Sequence, residues 1–151
     1  MEFLVRAHAA LSHFPIALLV ISFGATLLGR FRPRLRIDTF LAMAGGLGVG
    51  LFSVATGIVV HEPYEHLPII SEIQVHQFAA LGGTFALVVL AVFRFLSRRK
   101  GEDLEGRAWY PLAAAVGLVW ILFVGATGGD LVYEHGINVS GVNPLQVDNG
   151  H

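Results

Sequence analysis

Four apolar stretches, each about 20 residues long, limit what this chain can fold into. They run from Leu11 to Gly29, from Thr39 to Val60, from His76 to Leu96 and from Trp109 to Tyr133. Twenty residues at ~1.5 Å rise each cross a hydrocarbon core of ~30 Å. Within lipid every backbone polar group needs an internal partner, so separate spans of this kind must be helices. Charged residues make up only 14% of the chain and hydrophobic ones 54%, against roughly 25% charged in ordinary soluble domains. The expected architecture is an all-α, integral-membrane, four-helix up-down bundle. It forms a single domain over residues 1–151, with short polar connections.

Charge fixes the expected orientation. Nine of the ten Lys and Arg residues fall at one end of the spans: Arg30, Arg32, Arg34, Arg36, Arg94, Arg98, Arg99, Lys100 and Arg107. The positive-inside rule makes that end cytoplasmic and places both termini outside. Arg6 stands alone before the first stretch while four arginines follow it. A signal peptide has the opposite bias, so the first span is expected to stay in the membrane. All seven histidines, His8, His13, His61, His66, His76, His135 and His151, lie at the end opposite the positive charge. No basic face interleaved with aromatics supports nucleic-acid binding. Cysteine is absent, which excludes disulfides, thiolate-held clusters, covalent c-type haem and a cysteine nucleophile.

Histidines inside a membrane are costly and usually functional. His13 lies 17 residues before Arg30 and His76 lies 18 before Arg94. With those arginines as rulers, both histidines sit ~25–27 Å from the inner interface. Imidazoles at one depth on diagonal helices suit the two axial positions of a b-type haem. His13 and His76 are the first-choice ligands, and His61 with His135 the second. Arg6 is the candidate partner for the propionates. Asp130 and Glu134 are candidates to accept the other N–H of His135. Competing expectations are a periplasmic-face Cu- or Zn-binding or transport protein, with nearby carboxylates adding ligands, or a cofactor-free accessory subunit of a membrane complex. His61 to His66 is not the HExxH pattern, and Pro63 interrupts it. No nucleophile elbow points to hydrolysis; Ser12 reads as a helix cap ahead of Pro15. Gly46 with Gly50, Gly82 with Ala86, and Ala113 with Gly117 read as small-residue packing pairs.

Two segments are more specific. His8-Ala9-Ala10-Leu11-Ser12-His13-Phe14-Pro15-Ile16-Ala17-Leu18-Leu19 and Gly128-Gly129-Asp130-Leu131-Val132-Tyr133-Glu134-His135-Gly136 resemble the bacterial four-span family called domain of unknown function 2231. The resemblance covers nearly the whole chain. It implies that His13 and His135 matter and that the protein lies in the bacterial inner membrane. Related domains are joined to Rieske or c-type cytochrome modules, which implies a redox role; no such module lies within these 151 residues. The layout is also loosely similar to four-helix membrane b-type cytochromes. The resulting expectation is a haem b electron carrier, rather than a stand-alone enzyme, working at the periplasmic side. Its partners would be lipid and a quinol, a periplasmic cytochrome or a larger redox complex.

Overall fold

The computed structural model describes residues 2–139 and 141–147, with side chains for 7–139 and 141–145. Its helices are α1 (Glu2–Leu11), α2 (His13–Phe31), α3 (Phe40–His61), α4 (Ile70–Arg99), α5 (Tyr110–Tyr133) and the short α6 (Pro144–Val147). Among the described residues there is no strand. Four spans are long and apolar enough to cross a membrane: Ala7–Phe31, Phe40–Tyr64, Ile70–Arg99 and Tyr110–Tyr133. The third span begins six residues before the apolar run at His76, because Ile70 to Val75 add another helical turn and a half.

The first span is jointed. Pro15 has no N–H to give to the Leu11 carbonyl, and α1 gives way to α2 at Ser12. Ser12 does not cap α2. It keeps helical backbone angles, and its Oγ donates to Ala9 O at 3.0 Å. Pro111 in the first turn of α5 needs no such adjustment, since early helical N–H groups lack intrahelical acceptors.

The spans form a closed square: α2 packs on α3 and α5, and α4 packs on the same two. The first and third spans are therefore diagonal. Large apolar residues such as Phe14, Ile21, Leu41, Phe78, Phe85, Leu112 and Val119 face outward. Ser22, Thr39, Ser53, Thr56, Thr84 and Arg94 are buried. Apolar outside and small polar inside is the arrangement lipid favours. The central core joins Leu19, Phe23, Met43, Leu87, Ala91, Ala114 and Ile121.

Small residues let the helices close. A Cβ on Gly46 would meet the Leu19 side chain at 2.9 Å, and one on Gly117 would meet the Phe23 ring at 2.7 Å. In α4 the close approach is made by Gly83, where a Cβ would lie 1.9 Å from the Trp120 ring; nothing lies near Gly82. Trp120 Nε1 donates to Ala79 O at 3.0 Å, which fixes the indole across α4.

The two ends are finished differently. At the histidine end, Tyr64, Ile73, Leu131 and Ile137 form a small second core. Tyr64 OH donates toward Asn138 Oδ1 at 3.0 Å and lies 3.2 Å from Asn143 Oδ1. Gly136 has φ +64°, and a Cβ there would sit 2.8 Å from Val142 O. Only glycine turns the chain at this point without strain. At the arginine end, Arg94 is fully buried among side chains from every layer, described next.

Candidate functional site

The histidine end carries two similar arrangements on opposite corners of the square. His8 Nδ1 lies 3.0 Å from Ser53 O and 3.2 Å from Thr56 Oγ1 on α3. His76 Nδ1 lies 3.0 Å from Thr127 Oγ1 on α5. A Cβ on Gly57 would lie 3.0 Å from His8 Cε1, and one on Gly128 would lie 3.0 Å from His76 Cε1. Each imidazole thus rests against a Thr-Gly step of its neighbouring helix.

These contacts define the tautomer. Thr56 Oγ1 donates to Ser53 O at 2.9 Å, and Thr127 Oγ1 donates to Val124 O at 3.1 Å. With the hydroxyl proton committed, the threonine oxygen accepts. Ser53 O can only accept. His8 Nδ1 therefore carries the proton in the neutral ring and leaves Nε2 its lone pair, and His76 does the same when the Thr127 hydroxyl donates to Val124 O. Neither Nε2 has a hydrogen-bond partner among the described residues. The two rings are near enough to interact electrostatically across the bundle.

The correspondence extends to the sequence. Leu51, Phe52, Ala55, Thr56 and Gly57 on α3 recur at identical spacing as Leu122, Phe123, Ala126, Thr127 and Gly128 on α5. Arg30 and Arg98 each follow the corresponding histidine, His8 or His76, by 22 residues. The bundle reads as two parallel helical hairpins related about the membrane normal, a known membrane-protein repeat. The five identities mark Thr56 and Thr127, and the shared 22-residue interval marks His8 and His76.

The other expected residues lie elsewhere. His13 is exposed, and its Nδ1 bonds back to Ala9 O at 2.9 Å on its own span. The structure therefore sets His8, rather than His13, opposite His76. The reason lies in the depth ruler: the two reference arginines are not level, because Arg94 is buried and bonded to Thr39, which meets Ser22 and Thr26, about one to two turns before Arg30. Eighteen residues back from Arg94 reach the height of His8. His61 ends α3 with its Nε2 buried and lacking a partner among the described residues. His135, Asp130 and Glu134 are exposed, and no bond joins either carboxylate to His135 among the described residues. His135 is instead near enough to Glu72 to interact with its charge. The Arg6 side chain and His151 lie outside the described residues. No three His, Asp or Glu side chains gather into a metal-binding group among the described residues.

At the opposite end Arg94 organises a polar cluster. Its Nη1 donates to Thr39 Oγ1 and Tyr110 OH, both at 3.0 Å, and its Nε to Asp103 Oδ1 at 3.1 Å. Nη2 lies 2.9 Å from Glu105 Oε1. Thr39 Oγ1 donates to that same Glu105 oxygen. Arg98 pairs with Asp38 at 2.7 Å and with Asp103 at 2.6 Å. Hydrogen bonding from Arg98 holds the Asp38 carboxyl below its ordinary range. Burial pushes the Asp103 carboxyl up, but the hydrogen bond from Arg94, the Glu105 N–H and both arginine charges outweigh it, leaving the group below its ordinary value. This cluster ties both arginine-end loops to α4 and α5.

A family model described as "Predicted membrane protein (DUF2231)" matches residues 5–141. The chain belongs to this family. The match takes in all four spans of the DUF2231 fold, and the glycine that closes its Tyr133-Glu134-His135-Gly136 segment is the positive-φ turn described above. No curated protein and no solved structure matches this DUF2231 chain.

Proposed function

We propose that this DUF2231 protein is a b-type haem electron carrier whose axial ligands are His8 and His76. The observation that carries the reading is the pair of diagonal imidazoles with bonded Nδ1 and unbonded Nε2. Ligating histidines commonly donate the second ring N–H to a carbonyl or hydroxyl, which orients the ring and raises its basicity. The donor set suits a two-ligand group. A Zn or Cu centre needs three or four donors, more than the described residues bring together.

Bound haem would supply one-electron exchange. Thr56 and Ser53 O would hold the His8 ring, and Thr127 would hold the His76 ring. The outward apolar faces would keep the site within lipid, with electrons exchanged at the histidine end. That end would be periplasmic in a bacterial inner membrane, with both termini there, and the partner a quinol, a periplasmic cytochrome or a larger redox complex. The charge bias supports this orientation.

The test is an optical spectrum of the protein purified in detergent and titrated with haemin. Expected are a Soret band and split visible bands on reduction, lost in His8→Ala and in His76→Ala. Wild-type protein that binds neither iron nor haemin would overturn the proposal.

A further inference from the structure

A second site, independent of the histidines, lies at the arginine end. A cavity of about 330 Å³ opens between the end of α2, the segment from Pro33 to Ile37, and the loop leading into α5. That is within the range of ligand-holding pockets. Arg30, Arg36 and Arg107 line it, together with Glu105 and Thr26. Glu105 does not neutralise them, because its carboxylate is already engaged by Arg94, Thr26 and Thr39. Arg107 pairs with Glu102. Arg30 and Arg36 have no ion-pair partner among the described residues.

The surroundings say where the missing anion comes from. Arg30 is the next-to-last residue of the first span, so the cavity sits where hydrocarbon gives way to headgroups. From Arg30 to Ile37 the sequence alternates arginine with Phe31, Pro33, Leu35 and Ile37. Phe31, Leu35, Ile37 and Trp109 are all at least half exposed. Apolar side chains positioned for acyl tails alternate with guanidinium groups, whose planar forks match phosphate oxygens. Basic pockets between membrane helices are known headgroup sites. Gly29 shapes the pocket: a Cβ there would lie 3.3 Å from Arg36, so its absence lets the arginine segment fold back on α2.

We infer that this cavity binds the phosphate headgroup of an anionic phospholipid, with Arg30 and Arg36 as its principal contacts. The test measures thermal unfolding in detergent with added phosphatidylglycerol, phosphatidylcholine or inorganic phosphate. Phosphatidylglycerol alone should raise the midpoint. Arg30→Gln with Arg36→Gln should raise the lipid concentration needed by about tenfold or more. Arg32→Gln with Arg34→Gln removes equal charge from the same segment, outside the cavity, and should change it little. Equal loss in both double variants would reduce the effect to general surface charge and overturn the site. Inorganic phosphate reproducing the shift would overturn the lipid assignment. Should the first double variant fail to fold, native mass spectrometry of the wild type decides. Retained phosphatidylglycerol in preference to phosphatidylcholine supports the site, and no preference overturns it.

Discussion

Arg94 and Glu105 form a buried ion pair, 2.9 Å apart, with the arginine fully enclosed and the glutamate side chain only 7% exposed. Breaking a buried pair from one side leaves a charge in low dielectric, at a cost of about 3–5 kcal/mol. Arg94→Met should therefore lower stability by that order in reversible unfolding. Arg94→Lys should recover only part, because a point charge cannot serve Asp103, Glu105, Thr39 and Tyr110 at once. A lysine variant as stable as wild type would show that charge alone suffices.

The same cluster sets an acid limit. Asp38 and Asp103 have folded-state values below their ordinary ones. Groups lowered in this way add stability that is fully present above their unfolded values, about 4, and is lost as pH falls through the folded values. The thermal midpoint should be flat in this respect above about pH 5 and decline below about 4. Arg98→Gln should flatten that acid limb. An unchanged limb in the variant would assign it to other carboxylates.

Gly83 offers a cleaner packing test. A methyl group there would overlap the Trp120 ring, so Gly83→Ala must displace the indole and break its bond to Ala79 O. Overpacking of this kind costs about 1–3 kcal/mol. The chain has two tryptophans, so a Trp109→Phe background reports Trp120 fluorescence alone. Gly82→Ala, where nothing lies near, should leave both stability and emission unaltered.

Hydropathy and charge are local properties, and the spans and their arginine-rich end were readable from them. Matching histidines by depth was different, because it needs a known reference height. Arg94 looked like an interfacial arginine, yet Asp103 and Glu105 fold back from the next loop to bury it, and nothing in the spacing announces that. In the fold it is His8, five residues before His13, that packs against α3 opposite His76. The equal 22-residue intervals from His8 to Arg30 and from His76 to Arg98 are the sequence feature that pairs these two histidines. The lone pair left on each Nε2 belongs to tertiary hydrogen bonding and is visible only once α1 meets α3 and α4 meets α5.

On the haem proposal, the threonines should tune binding without providing ligands. Removing a group that holds a ligating histidine typically costs about 10–100-fold in affinity. Thr127→Val should fall in that range in haemin titration. Thr56→Val should cost less, since Ser53 O still accepts from His8. Thr→Ser at either position should restore affinity, which a purely structural role for the methyl group would not predict.

The sharpest contrast is between two histidines five positions apart. The family segment from His8 to Leu19 contains both, and depth counted from Arg94 favours His13. In the fold, His13 is exposed and bonded back to Ala9 O of α1 on its own span, while His8 bridges to α3 across from His76. His13→Ala should keep the haemin spectrum within about twofold of wild-type affinity, whereas His8→Ala should lose at least the 10–100-fold expected for disturbing a ligand's support. His8→Met separates ligation from packing, because a thioether can replace an axial imidazole and shift the bands rather than abolish them. A spectrum lost in His13→Ala and retained in His8→Ala would return the site to His13 and remove His8 from it.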